Sequence, residues 1–181
     1  MLIFMEIKQA SLEMLEDIFQ LEQLIWRDDS ATKESLRKRI EIFPQGFCVV
    51  YSDLELVGMA SSALLPVGHK VEEYDGAFFP WERIHDPNGK ILYLFCSTVH
   101  PDFQRQGVWK QMLNFRIDYA KRHPEIREIW VSGRNRENEY GPNTSDLLER
   151  FGFRKIKDFL FKGHLDNSLL SLSPPYEIKT S

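Results

Sequence analysis

At 181 residues the chain is the length of one domain with a substantial core, and its 43% hydrophobic and 28% charged composition excludes global disorder and low-complexity architectures. The 23 Lys and Arg against 27 Asp and Glu leave a net charge of −4, which argues against generic attraction to nucleic acid. No apolar run approaches the roughly 18 residues that span a bilayer, and Met1 to Lys8 lacks a basic leader and is broken by Glu6, so a cytoplasmic protein away from membranes is expected.

Leu2 to Ile7 reads as a strand, and after Ser11 the residues Met14, Ile18, Leu21 and Ile25 recur at helical spacing. A second helix is predicted from Thr32 to about Phe43, with Thr32 as N-cap, Arg37 to Arg39 on a solvated face, and Pro44 and Gly46 as the stop. Phe47 to Tyr51 and Glu55 to Leu65 should pair as a hairpin through Ser52-Asp53, with a bulge at Gly58. Cys48 and Cys96 each sit in an apolar stretch, which predicts two reduced, buried thiols that pack rather than react. Pro66 to Lys90 shows neither helix nor strand, and its length favours a lid over residues 67–89 carrying Glu72, Glu73, Asp75 and Trp81.

Ile91 to Val99 is the strongest strand signal. A polar stretch then leads through Gly107 into a helix with Val108, Met112, Phe115 and Tyr119 on one face, and Glu128 to Val131 supplies the next strand. Strand, loop, helix, strand is a crossover unit, so its two strands should be parallel. Asn143 is expected to cap a short helix containing Leu147, Leu148 and Phe151, with Gly152 beyond it. Lys155 to Phe161 reads as the last strand, and the tail as irregular.

A strand end meeting a short loop and a helix start concentrates unpaired peptide N–H groups, which makes an anion site. Gly107 lets an anion approach the main chain without meeting a Cβ, while Arg105 and Lys110 add charge. The bland reading is an ordinary turn eased by a glycine. Residues 101–136 hold eight basic against four acidic residues, whereas residues 1–100 carry a net −7, so charge is segregated in the direction an anionic ligand requires.

The run from Val99 to Leu113, with Val99-His100-Pro101, Gln104-Arg105-Gln106-Gly107 and Val108-Trp109-Lys110, closely resembles motif A of the GNAT superfamily of N-acetyltransferases. Leu147-Leu148-Glu149-Arg150-Phe151-Gly152-Phe153 is similar to that superfamily's closing motif. The resemblance implies an α/β fold with a mixed, mostly antiparallel twisted sheet of six to seven strands, one parallel crossover pair, and helices on both faces. It implies one acetyltransferase domain over residues 1–165 followed by an irregular tail at 166–181. It also implies acetyl-coenzyme A as cofactor, its pyrophosphate wrapped by Gln104, Arg105, Gln106, Gly107, Val108, Trp109 and Lys110, and its pantetheine arm paired with Ser97, Thr98 and Val99. Acetyl transfer would go to a primary amine by direct attack, with a small-molecule amine favoured by the acidic, aromatic lid; dimers are common among such folds.

Some positions depart from the superfamily's pattern. Trp109 replaces a small residue, and Tyr93 and Leu148 stand where relatives place a catalytic Glu and Tyr. Replacement candidates are Tyr140 as acid and Glu73 as base, with Tyr93, Glu72, Glu73 and Trp81 as acceptor contacts. Asn138 and Asn143 lie near the place of a pantetheine-contacting Asn, although Gly141 takes the aligned position. Loss of both proton-transfer groups supports an alternative, a catalytically weak acyl-coenzyme A binding or regulatory module. The five His residues show no metal-ligand spacing, so no metal is expected.

Overall fold

A computed structural model describes residues 5–69, 81–137, 143–161 and 164–178. Its elements are β1 (Met5–Gln9), α1 (Leu15–Trp26), α2 (Lys33–Ile42), β2 (Phe47–Ser52), β3 (Glu55–Leu65), α3 (Trp81–Ile84), β4 (Ile91–Val99), α4 (Val108–Arg122), β5 (Glu128–Arg134), α5 (Ser145–Arg150), β6 (Arg154–Phe161) and β7 (His164–Leu172). The strands follow the order β1-β2-β3-β4-β5-β7-β6 in one seven-stranded sheet. β1–β2, β2–β3, β5–β7 and β6–β7 are antiparallel and β4–β5 is parallel, which is the mixed sheet with a crossover pair expected from sequence.

Contacts divide the chain into two compact units, Met1–Ser62 with Phe95–Tyr119, and Ala63–Leu94 with Ala120–Ser181. In the first, alternation along β2 sends successive side chains to opposite faces. Phe47 and Val49 pack with Leu15, Ile18, Leu21, Leu36 and Ile40 of α1 and α2, while Cys48 and Val50 pack with Val108 and Met112 of α4. Helices therefore cover both faces, and each fully buried Leu, Ile or Phe contributes roughly 1.5–3 kcal/mol. The register passes from Val50↔Gly58 to Tyr51↔Leu56 and leaves Val57 as the extra residue of a bulge. That bulge reverses the alternation, so Val57 and Ala60 share the α4 face while Leu56 and Met59 share the other.

Thr32 Oγ1 accepts a hydrogen bond from Ser35 N at 3.1 Å, capping α2 as its sequence predicts. Arg37 and Lys38 are exposed beside Glu34, but Arg39 is buried and does not belong to the solvated face. A helical step of about 100° per residue explains the difference, since Arg39 lies at i+3 from the core residue Leu36.

In the second unit, β4 and β5 pair from Ile91↔Glu128 to Leu94↔Val131. The tail expected to be irregular instead supplies β7, hydrogen-bonded to β5 on one side and β6 on the other. Its polar residues Asn167 and Ser168 are buried, with Ser168 Oγ bonded to Asn135 Oδ1 at 2.7 Å. A strand paired on both edges satisfies its backbone without an alternating apolar pattern, which is why sequence periodicity passed over it. Beyond it, Tyr176 is buried and donates its hydroxyl to Ile126 O at 2.7 Å.

The segment read as lacking elements contains α3, where Trp81 is buried and stacks on His85 at 4.6 Å. His85 Nδ1 accepts from Leu64 N at 3.2 Å, Asp86 N donates to Leu64 O at 2.8 Å, and Lys90 N donates to Leu65 O at 2.9 Å. Burial lowers the His85 pKa below its ordinary value, with Asp86 opposing. The unfolded chain therefore binds a proton more readily, so this contribution to stability is complete above the unfolded pKa of about 6.5 and is lost as the pH falls through the folded value. We expect the urea midpoint to fall from pH 7.5 to pH 5.5 and the fall to shrink in His85→Gln; an equal fall in both proteins would contradict it.

Candidate functional site

Past Leu94, the β4 residues Phe95, Cys96, Ser97 and Val99 are only half-buried. His100 N donates to Val57 O at 2.9 Å, and His100 Nδ1 accepts from Asp102 N at 3.3 Å, which caps a 3-10 turn at Pro101–Phe103. Arg105 and Gly107 then adopt left-handed φ values of +61° and +84°. Left-handed residues in a tight bend turn neighbouring N–H groups toward a common point. Residues 104–107 form the turn that joins this 3-10 segment to α4. Gln111 N donates to Gly107 O at 3.0 Å and opens α4, whose dipole adds positive potential at the bend.

The bend is open. A Cβ built on Gly107 meets no atom within 4 Å, so the neighbouring Trp109 indole leaves it uncovered. Gln104, Arg105, Gln106 and Lys110 are exposed, whereas Val108 is buried in the core. Together with Ser97, Thr98 and Val99 on β4, these residues of the first unit form one strand–bend–helix segment. The donor set suits a diphosphate: peptide N–H groups, two exposed cations and a glycine without a Cβ.

Arg116 holds α4 to β4 from behind. Its Nη1 donates to Cys96 O at 3.3 Å, Nη2 to Ser97 Oγ at 2.8 Å and Nε to Met112 O at 3.1 Å. Burial lowers its pKa, but a guanidinium stays charged in a protein. The two cysteines differ. Cys48 is buried and its thiol is pushed up to about 11, mainly by desolvation. Cys96 is half-buried beside Ser61 Oγ at 3.0 Å and Arg39 Nη1 at 3.8 Å, which corrects the expectation of a buried thiol among apolar neighbours.

A second polar group touches β4. Trp26 Nε1 donates to Thr98 Oγ1 at 2.9 Å, and Thr98 Oγ1 lies 3.5 Å from Glu22 Oε2. Glu22 Oε1 accepts from Ala31 N at 3.0 Å. Burial raises the Glu22 pKa above the ordinary carboxylate range, opposed by the Ala31 hydrogen bond, the charge of Arg39 and Thr98. Sequence reading missed Glu22, although its place at i+4 from Ile18 puts it on the buried stripe of α1.

Other expected site residues lie elsewhere. Tyr93 and Leu148 are buried in the second unit. Trp81 is 1% exposed and packs in the core, so it does not present a contact surface as a lid residue would. Asn143 donates its amide to Asn135 O at 2.9 Å and Asp146 Oδ2 at 3.0 Å and accepts from Asp146 N at 3.2 Å, so its side chain is committed to the start of α5. Glu72, Glu73, Asn138 and Tyr140 lie outside the described residues. Among the described residues, no group of three or more His, Cys, Asp or Glu is placed to hold a metal, and no helix is long and apolar enough to cross a membrane.

A strand, a left-handed glycine bend and a helix start thus follow one another inside a mixed seven-stranded sheet. The acetyltransferase (GNAT) family model matches residues 12–153, and the chain belongs to that family. It is 30% identical over 158 residues, 80% of its length, to a Bacillus subtilis (strain 168) protein named "Probable hydrolase YhcX", of which it spans only 29%. Among solved structures it is similar to the loading GNATL domain of CurA from Lyngbya majuscula, with a TM-score of 0.78 and 18% identity over 94% of this chain and 98% of that one. It is also similar to the PaiA N-acetyltransferase of Thermoplasma acidophilum in complex with coenzyme A, with a TM-score of 0.62 and 14% identity over 94% of this chain and 99% of that one.

Proposed function

We propose that the chain is an N-acetyltransferase that takes acetyl from acetyl-coenzyme A and passes it by direct attack to a primary amine, the acceptor being a small molecule. The observation that carries this reading is the exposed left-handed bend at Arg105 and Gly107, φ +61° and +84°, with its peptide N–H groups at the start of α4. These groups, with Arg105 and Lys110, would hold the diphosphate, and the half-buried Ser97 and Val99 on β4 would flank the pantetheine arm. The bound donor supplies an activated thioester. The protein's own work is to hold that thioester, exclude water and manage one proton, since an alkylammonium with a pKa near 10.4 must be neutral before it attacks. Peptide N–H groups along β4 supply fixed dipoles for the developing oxyanion. Membership of the acetyltransferase (GNAT) family supports the reading.

A second reading is favoured by Tyr93 and Leu148, which are packing residues where relatives keep proton-transfer groups: a coenzyme-binding module without turnover. Calorimetry with acetyl-coenzyme A, followed by thiol release across a panel of primary amines, separates the two. We expect saturable binding and steady thiol release with at least one amine. Binding without release would select the module, and absence of binding at millimolar ligand would remove both.

A further inference from the structure

We propose that the Ser97 hydroxyl, aimed by the buried Arg116, is the hydrogen-bond donor that stabilises the coenzyme's sulfur as it departs as a thiolate. The inference rests on the acetyltransferase reading above and gives Ser97 a part in the chemistry beyond its place beside the pantetheine arm.

Arg116 on α4 is 2% exposed. Its hydrogen bonds go to Met112 O at 3.1 Å, Cys96 O at 3.3 Å and Ser97 Oγ at 2.8 Å, and among the described residues none goes to a carboxylate. The ionisable groups that face it are two thiols, Cys48 from β2 and Cys96 from β4. A guanidinium this deep is costly unless it is paired, and here its partners are three dipoles. It nevertheless keeps its charge. α4 therefore fixes a positive charge against the Cys96–Ser97 stretch of β4 without an acidic partner among the described residues.

The diphosphate is not the anion this charge awaits. Arg116 comes eight residues after Val108, the first residue of α4, so at 1.5 Å per residue it stands about 12 Å along the axis from the bend. The other anions of the reaction arise at the acyl end of the coenzyme: the transient oxyanion and then the thiolate. Peptide N–H groups along β4 serve the oxyanion. The sulfur still needs a donor, since Leu148, where relatives keep a Tyr, has no proton to offer. The neutral amides of the pantetheine arm gain far less from a cation behind them than a thiolate does.

Ser97 carries the effect of that charge to the accessible part of β4. A serine hydroxyl has one proton and two lone pairs. Arg116 Nη2 donates into one lone pair, and because a guanidinium cannot accept, the Ser97 proton points elsewhere. Among the described residues nothing accepts it. Ser97 is half-buried whereas Arg116 is buried, so a ligand lying on β4 meets the hydroxyl and not the guanidinium. A donor polarised by a cation behind it is strengthened toward an anion. The neighbouring Thr98 does not fill this place, because it is 1% exposed and already bonded to Trp26.

The step balances without a further reactant. As the neutral amine nitrogen bonds to the acetyl carbon, the C–S bond breaks and its electron pair stays on sulfur. Ser97 donates a hydrogen bond to that sulfur and keeps its proton, since a hydroxyl is a far weaker acid than a thiol of pKa about 8.5. The thiolate then takes a proton from solvent, and the acylated nitrogen releases one to solvent. Amine plus thioester give amide plus thiol.

The test reads the sulfur directly. Coenzyme A bound to the full chain is titrated by the ultraviolet absorbance of its thiolate, with the desulfo-coenzyme A complex as blank so that Cys48, Cys96 and the tyrosines cancel. A hydrogen bond that favours the charged form should give the bound thiol a pKa about one to two below that of free coenzyme A. Ser97→Ala should return it to the free value, Ser97→Thr should keep at least half of the lowering, and Arg116→Gln should lose most of it with Ser97 in place. With the best amine of a panel containing an alkyl diamine, an arylethylamine, an amino-acid amide and a peptide with a free N terminus, kcat should fall about ten- to a hundredfold in Ser97→Ala. Calorimetric affinity of Ser97→Ala for acetyl-coenzyme A should stay within about threefold of wild type, because a thioester sulfur carries no charge for the hydroxyl to meet. Residues that only hold α4 to β4 would leave the thiol pKa unmoved. A folded Ser97→Ala that binds coenzyme A with the wild-type thiol pKa overturns the proposal and leaves the acetyltransferase reading intact; weakened acetyl-coenzyme A binding with that pKa unchanged overturns it too, assigning the hydroxyl to the pantetheine arm. A wild-type protein that binds neither coenzyme A nor acetyl-coenzyme A overturns the acetyltransferase reading first. Should Arg116→Gln fail to fold, the Ser97→Ala and Ser97→Thr pair decides the matter.

Discussion

Gly107→Asp is expected to weaken acetyl-coenzyme A binding about a hundredfold without unfolding the protein. Gly107 has φ +84°, in the left-handed region, and a Cβ there meets nothing within 4 Å. Asp tolerates the left-handed region better than most residues, so the backbone change is small. The charge decides the outcome. A carboxylate about 5 Å from one phosphate charge, at an effective dielectric of about 20, costs roughly 3 kcal/mol, close to a hundredfold in affinity. Gly107→Asn is the control, because it has nearly the same shape and backbone preference without the charge, and it should lose less than tenfold. Equal affinity of wild type and Gly107→Asp by calorimetry, in a folded protein, would show that the diphosphate binds elsewhere.

Gly133→Val is expected to damage the fold rather than the ligand site. Gly133 lies on β5, and a Cβ added there would meet Ser145 Oγ at 2.7 Å, Ser145 Cα at 2.9 Å and Ser145 N at 3.0 Å. Two of those atoms are backbone at the start of α5, where no rotamer change can give way. The same junction is tied by Arg134 N donating to Thr144 Oγ1 at 2.8 Å and Thr144 N donating to Arg134 O at 3.0 Å. Overpacking of this kind costs about 1–3 kcal/mol for an added methyl group and more for a branched side chain. At roughly 2–4 °C per kcal/mol for a chain of this size, the melting temperature should fall by about 6–12 °C. A fall of less than 2 °C would mean that α5 shifts freely against β5.

Much of the fold was legible because its cues are local. Thr32 caps α2 through a side chain three residues from its donor, and the Val50 register shift falls opposite Gly58. The bend at Gln104 to Gly107 was readable for the same reason: a glycine between a strand and an amphipathic helix has few conformations open to it. β7 was not legible, because its residues alternate poorly and one of the two strands that hold it, Glu128–Arg134, lies some thirty residues earlier in the chain. Trp81 was misplaced on a lid because an aromatic in a stretch without periodicity gives no sign of the ring it will stack on.

The amino-acid order alone determined the crossover unit, the glycine bend and the charge segregation, since local periodicity writes each strand and helix and a count of charges needs no fold. Tertiary structure alone decided which polar side chains face β4. Glu22 and Thr98 are 76 residues apart, Trp26 and Thr98 are 72 apart, and Arg39 and Cys96 are 57 apart. Such groups meet only when the helices close over the sheet, and a buried hydrogen bond carries no signature in the spacing of its partners. The glycine bend was therefore readable before folding was considered, while the buried polar contacts of Thr98 with Trp26 and Glu22 came into existence only with the packed core.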